Sequence, residues 1–463
     1  MIELDIKTIC EVCGGKLVGD PDIKINRITT DSRKAKDGSL FAAIVGEKVD
    51  GHDYIDSAVR SGAAAVIVEK EPKETKISYV LVGSTLKALQ NIAAYMLKKA
   101  AIPVVGIGGS VGKTSTKEAV ASVLAQKFSV LKTEGNFNND LGLPLTVFEL
   151  TEDNDIAVLE MGISDFGEMH LLSSIARPDI CILTNIGDCH LENLGDRAGV
   201  FKAKTEMFDY MKQDGHIILN GDDEYLSKVD EVNGIRPVFY GLNSKNDVWA
   251  DNIKNVGIRG VSCGIHTKSG DISVLVPKPG IHAVYNSLAA TSAGLITGLS
   301  LEEIKSGIEA QESVSGRFNI IDENSLEIID DCYNANPMSM KASLGILAKA
   351  DTRRVAILGD MGELGADEAE LHAQVGRFAA QQDIDVVVCI GKLSRNILDE
   401  AVKNSTTTGM FFDNIESFED KLDTIIHKGD TVLVKASHFM HFERIVEDLR
   451  RTDFDWNICK AHE

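Results

Sequence analysis

Positive charge is what this chain is shortest of. Its 463 residues carry 48 Lys and Arg against 70 Asp and Glu, a formal net charge of -22. Nucleic-acid binding needs clustered cations, so no nucleic-acid partner is expected. An anionic ligand must be held by local features rather than by the overall field. Long apolar runs are missing as well, and none approaches the ~20 residues of a membrane span. The start, Met1-Ile-Glu-Leu-Asp5, is acidic and lacks the basic head and apolar core of a secretory signal. Repeats and low-complexity tracts are absent. The eight cysteines are scattered, Cys181 and Cys389 within apolar runs, as expected of a reduced cytoplasmic protein. Cys10-Glu-Val-Cys13 is a lone C-x-x-C and reads as structural.

What is there is the composition of a soluble globular protein, too long for one core and sized for about three domains. The fold class expected is α/β throughout. Residues 1–83 read as a small α/β unit, with strands at 63–68 and 79–82 and one helix around 54–62. A helix over 85–99, with Leu86, Leu89, Ile92, Ala93 and Met96 on one face, bridges to the next domain. Residues 84–314, bridging helix included, read as a central P-loop ATPase-like domain with strands at 102–106, 156–161, 180–186 and 216–219. The segment 312–317 marks a boundary. Residues 315–463 alternate strands (326–330, 354–359, 385–390, 431–435) with helices, the pattern of a doubly wound, Rossmann-like domain.

The richest stretch is Gly109-Ser-Val-Gly-Lys-Thr-Ser-Thr116, directly after an apolar strand. A strand, a glycine-rich turn and a helix make a phosphate cradle, because helix N-terminal amides and the macrodipole favour anions. Gly108, Gly109, Ser110, Val111, Gly112, Lys113, Thr114 and Ser115 are the expected ATP contacts. Lys113 would reach the terminal phosphates and Thr114 would offer a hydroxyl to Mg²⁺. The strict motif has glycine where this chain has Ile107.

Further residues point to the same chemistry. Glu160 ends an apolar strand and reads either as a second Mg²⁺ partner or as a surface carboxylate. Thr184-Asn-Ile-Gly-Asp-Cys-His190 puts His190 in a loop, as a ligand or merely solvated. On a helix over 200–211, Lys204 shares an apolar arc with Val200, Phe201, Met207, Phe208 and Met211, while Lys202 and Glu206 lie opposite. A lysine there must snorkel, find a partner or lose its charge. In Tyr333-Asn-Ala-Asn-Pro337, Asn336 fits a helix N-cap and Pro337 the first helical position. Asp330, Asp331, Tyr333 and Asn334 are not explained by capping, and they lie where α/β sheets bind ligands.

Together these motifs resemble the Mur ligases, ATP-dependent amide-forming enzymes of peptidoglycan precursor synthesis, over essentially the whole chain. Asp31-Ser-Arg33, Asp50-Gly-His52 and Gly62-Ala63 are similar to the family's UDP-sugar domain, and Thr133 to Pro144 to its asparagine-rich loop. Glu160-Met-Gly162, Asn185-Ile-Gly187 with His190, and Ala203-Lys-Thr-Glu206 resemble its metal-site elements. Tyr333 to Pro337 and Leu358-Gly-Asp-Met-Gly-Glu-Leu-Gly365 resemble the branch that adds D-alanyl-D-alanine.

The resemblance implies UDP-N-acetylmuramoyl-tripeptide and D-alanyl-D-alanine as substrates, with ATP and two Mg²⁺. Lys113, Lys204, His190 and Glu160 would be catalytic. The metals would fall to Thr114, Glu160, His190 and a carbamylated Lys204. Asn286, Arg317, Asp331 and Asn334 would complete the ATP site. Ser32, Arg33, Asp50, His52, Asn136, Asn138 and Asn139 would bind the UDP substrate. A cytoplasmic monomer is expected. Two positions depart from the family's habit: Ala283 follows the histidine of Gly280-Ile-His-Ala-Val-Tyr-Asn286, and Lys435-Ala-Ser-His438 replaces Lys-Gly-Ser-Arg.

Overall fold

The computed structural model describes residues 1–451 except 47, 73–75, 313–315 and 404. Half of the expected boundary at 312–317, residues 313–315, therefore lies outside the described residues. Three main sheets follow one another along the chain. The first has five strands in the order Lys16–Val18, Ser78–Leu81, Ala63–Val68, Ser39–Ala42 and Arg27–Thr29, parallel except where Lys16–Val18 pairs with Ser78–Leu81. Its helix is Ile55–Arg60, and a second helix, Ile6–Cys13, went unforeseen. Cys10 and Cys13 are free, and their thiols donate to the carbonyls of Gly15 and Ala88.

The bridging helix is Thr85–Ala100, N-capped by Ser84. Its buried face carries Leu89, Ile92, Ala93 and Met96, and one apolar core runs continuously from Ile2 through this helix to Leu226. The first and central units thus share a core, and the Ile2 amide bonds the Leu150 carbonyl.

The central sheet has nine strands. Val104–Gly108 is the third strand from one edge, between Ile156–Glu160 and Ile180–Leu183, all parallel. Chain connections leave in opposite directions from that strand, the switch point at which α/β sheets bind ligands. The far edge, Val248–Asn255, Val261–Thr267 and Gly270–Val276, is antiparallel and extends the sheet beyond the expected strands. On this edge His266 lies between Asp251 (2.9 Å) and Asp271 (3.0 Å) and stacks on Trp249. The Asp251 hydrogen bond leads in raising its pKa above the ordinary value. The folded state therefore favours protonated His266, and this stabilisation is present below the unfolded pKa and lost as pH rises through the folded one. Asp271→Asn should lower the melting temperature more at pH 5.5 than at pH 8.5; equal losses at both would show that the pair carries no such linkage.

The third sheet orders Asn319–Glu323, Leu326–Asp330, Thr431–Lys435, Arg354–Gly359, Val386–Ile390 and Thr408–Phe412, parallel except for the first strand. Separate apolar cores cover its two faces, as expected of a doubly wound unit. Asn319–Glu323 and Thr408–Phe412 add edge strands to the four expected. No helix among the described residues is long and apolar enough to cross a membrane.

Candidate active site

The carboxyl ends of the neighbouring strands Ile156–Glu160, Val104–Gly108 and Ile180–Leu183 carry one cluster. Strand Val104–Gly108 ends two residues later than its apolar run suggested, and Ile107 sits inside it, fully buried and paired with Glu160 and Ile182. That explains the missing motif glycine: its position belongs to the sheet, and the turn begins only at Gly109. Gly109 has φ 140°, and a Cβ there would collide with Thr184 Oγ1. Gly112, at φ 82°, begins helix Lys113–Leu124 with no side-chain cap. The first turn of that helix is thereby left to an anion.

The loop after strand Ile180–Leu183 braces the turn. The Ser110 amide bonds the Asn185 carbonyl, and the Val111 amide bonds Asn185 Oδ1, both at 3.0 Å. Asn185 Nδ2 and Thr184 Oγ1 donate back to the Val111 carbonyl. Two of the cradle's amides are thus spent on its own rigidity. Lys113 Nζ folds onto the Gly109 carbonyl at 3.0 Å. Ser115 is half-buried in the first helical turn.

Glu160 is buried, 1% exposed, and is no surface carboxylate. Thr114 Oγ1 donates to its Oε2 and Asn138 Nδ2 to its Oε1, each at 2.8 Å. Asn139 accepts from the Gly142 amide, and Asn136 is exposed. Thr116 Oγ1 donates to Asn286 Oδ1 at 2.9 Å, which ties helix Ile281–Ile296 to helix Lys113–Leu124. Ala283 is buried in that helix, on the apolar core. Lys117, which the sequence reading passed over, is buried and pairs with Glu118 Oε1 at 2.7 Å and with the Thr133 carbonyl.

The α-helix carrying Lys204 is Arg197–Thr205, shorter than the 200–211 expected, and residues 206–210 tighten into a 3₁₀ turn. The burial pattern holds in part: Val200, Lys204, Met207 and Phe208 are buried, Phe201 and Met211 are half-buried, and Lys202 is exposed. Glu206 turns aside to accept the Gly167 and His170 amides. No hydrogen-bond acceptor among the described residues pairs with Lys204 Nζ. Burial, with Lys113 adding to it and Cys189 opposing, lowers the Lys204 pKa to about 8.

The third unit meets this cluster from across a cleft. His190 Nδ1 lies 2.9 Å from Glu363 Oε2. The Arg317 guanidinium lies 4.1 Å over the Tyr333 ring, and His438 stacks on Tyr333 at 5.4 Å between ring centres. Tyr333 also reaches Asn136 of the asparagine-rich loop. Asp331, expected at the nucleotide, is occupied within its own unit. Its Oδ2 accepts from Lys435 Nζ (2.7 Å) and Ser343 Oγ (2.6 Å), and its Oδ1 from the Phe318 amide. Asn334 is exposed, with Oδ1 accepting the Ala335 amide. Asn336 caps helix Pro337–Leu347 as expected.

In the first unit a cavity of 660 Å³ is lined by Ser32, Arg33, Phe41, Ile44 and Tyr54, among others, and by Leu141 from the asparagine-rich segment. Asp50 and His52 are not among its lining residues. Asp50 caps its own turn and bonds His52 Nδ1 at 2.6 Å, and His52 Nε2 accepts the Glu69 amide. None of Asn136, Asn138 and Asn139 lines the cavity either. Segment 136–141 instead links the cavity, through Leu141, to Glu160, through Asn138.

Sequence comparison matches three family models in succession. They are the Mur ligase family catalytic domain at residues 24–108, the Mur ligase middle domain at 107–294 and the Mur ligase glutamate ligase domain at 316–438. The UDP-N-acetylmuramoyl-tripeptide–D-alanyl-D-alanine ligases of Escherichia coli and Bacillus subtilis are each 36% identical, covering 97% of this chain and 99% of their own. MurF from Acinetobacter baumannii superposes with a TM-score of 0.90 at 31% identity, covering 97% of this chain and 99% of its own. MurF from Thermotoga maritima, solved with ADP, superposes at 0.81 with 29% identity, covering 92% and 97%.

Proposed function

Because this chain belongs to the Mur ligase family, we propose that it is the ATP-dependent ligase that joins D-alanyl-D-alanine to UDP-N-acetylmuramoyl-tripeptide. The observation that carries this is the 36% identity to two such ligases over nearly the full length of both chains. The phosphate cradle and the third unit's loops at 333–337 and 360–365, facing one cleft, agree with it. The domains divide at 83/84 and 314/315, and the enzyme works as a cytoplasmic monomer.

In this reading the tripeptide's terminal carboxylate takes the γ-phosphoryl group of ATP. The amine of D-alanyl-D-alanine then attacks the acyl carbon, and phosphate leaves as the amide forms. Lys113 and the uncapped helix end bind and orient the triphosphate and offset its charge. Arg317 closes over the nucleotide from the third unit, Asn286 holds the base side, and Asn334 enters on closure. Asp331 positions Lys435 and the turn that follows it. Docking of the third unit excludes water from the acyl phosphate.

The donors suit Mg²⁺. Thr114 and Glu160 present hard oxygens 2.8 Å apart, and a buried lysine without an acceptor is what a carbamate would convert into a further oxygen ligand. Thr114 and Glu160 would hold one ion, and His190 with carbamylated Lys204 a second. Bound Mg²⁺ would neutralise charge on the phosphoryl and acyl oxygens.

Phosphate release measured with UDP-tripeptides carrying lysine or diaminopimelate tests the reading. Release should require both a tripeptide and D-alanyl-D-alanine; release indifferent to the acceptor amine would point to a nucleotide switch. The first unit's cavity is assigned to the uridine nucleotide. Arg33→Ala should weaken UDP-tripeptide binding about tenfold, as loss of a charged hydrogen-bond donor does, and leave ATP binding unchanged by calorimetry. Unaltered UDP-tripeptide affinity would remove Arg33 from the site.

A further inference from the structure

The contact between His190 and Glu363 joins two units through two unusual residues. His190 has φ 52° and Glu363 φ 62°, and neither is glycine. Left-handed backbone at such residues persists only where the surroundings impose it, and it gathers at functional sites. Docking strength does not account for the pair. The Glu363 side chain is 69% exposed, and exposed ion pairs add little to stability. Nearby, a Cβ built on Gly365 would lie 3.9 Å from the Glu192 amide nitrogen, so the Gly365 end of this turn also lies beside the segment that carries His190.

The ring's two nitrogens are used unequally. Nδ1 meets the Glu363 carboxylate at 2.9 Å, while Nε2 has no protein partner among the described residues. A carboxylate on one imidazole nitrogen, with the other left open, is the arrangement that orients a metal-binding histidine and fixes its tautomer. We propose that Glu363 is a positioning residue: it holds His190 through Nδ1 so that Nε2 is presented as a ligand. Because Glu363 belongs to the third unit, the His190 end of the metal site is complete only when that unit is docked. This rests on the reading of His190 as a metal ligand.

The test is Mn²⁺ binding to the full-length protein, followed by electron paramagnetic resonance with a non-hydrolysable ATP analogue present. Glu363→Ala should weaken the weaker Mn²⁺ site about 10–100-fold, the usual effect of removing such a partner. Glu363→Gln, whose amide oxygen still accepts from Nδ1–H, should weaken it far less, and analogue affinity should not change in either variant. Small-angle scattering of Glu363→Ala with the analogue bound should match the wild type. Unchanged Mn²⁺ binding in Glu363→Ala, where His190→Ala does weaken it, overturns the positioning role alone. Unchanged binding in His190→Ala overturns the reading of His190 beneath it. Equal loss in Glu363→Ala and Glu363→Gln, or loss of compaction with loss of Mn²⁺, would make the residue a charge or a latch and overturn the proposal as well.

Discussion

Lys113→Ala is expected to lower kcat by about 100-fold or more while leaving the melting temperature within a degree or two of the wild type. The size follows from the role assigned to it. A preorganised positive group at the place where phosphoryl charge develops typically contributes about 10²–10³ in rate. The spared stability follows from its surroundings. Lys113 is only half-buried, and among the described residues its side chain bonds only the Gly109 carbonyl. The turn is held without it, by Asn185 and Thr184 on both sides of Val111. Lys117, four residues on, makes the contrasting control. It is buried and bonded to Glu118 and the Thr133 carbonyl, so Lys117→Ala should lose stability first. Steady-state phosphate release and thermal melting of the two variants separate the roles. A folded Lys113→Ala enzyme with near-wild-type turnover would remove the phosphate-cradle assignment.

The parts that could be read in advance are those where one period dominates. Continuous apolar strands such as Arg354–Gly359 and Val386–Ile390 are buried on both faces, so an unbroken run announces them. Lys204 was legible because a helical arc is a geometric statement, and its burial held even though the α-helix stops at Thr205. The outer strands of the central sheet were not legible. Gly270–Val276 is buried only at every second residue, and a search for unbroken apolar runs passes over it. Helix Ile6–Cys13 could have been read, since Ile6, Ile9, Cys10 and Cys13 fall at i, i+3, i+4 and i+7 and Asp5 caps it, but its eight residues make a short window beside the C-x-x-C spacing. The partners of Asp331 and of Glu363 were out of reach for another reason. Lys435 lies 104 residues from Asp331, and nothing local to either marks the pairing. The same limit hid the partners of Asp50 and His52, whose side chains are turned to each other and to the Glu69 amide.

Lys204→Ala should be nearly inactive, and acetate or formate should restore part of the rate. The argument begins with a cost. A free ammonium buried at 1% exposure with no acceptor is unfavourable, and burial brings the lysine pKa down to about 8. The lowered pKa makes the neutral amine abundant near pH 8, where an ordinary lysine with pKa near 10.4 is under about 1% neutral. A neutral amine adds to CO₂, forming the N–C bond and releasing one proton, and the cation is replaced by a carbamate anion. That anion gives the residue a reason to face inward among Val200, Met207 and Phe208. Removing the side chain leaves room for a small carboxylate to stand in for the missing oxygens, which is why acetate or formate is the informative additive. Lys202→Ala, on the exposed side of the same helix, should keep its activity. Carbon NMR of protein equilibrated with ¹³CO₂ should give a carbamate signal in the wild type that Lys204→Ala lacks. An active Lys204→Ala enzyme, with the same spectrum as the wild type, would leave a buried lysine that only snorkels.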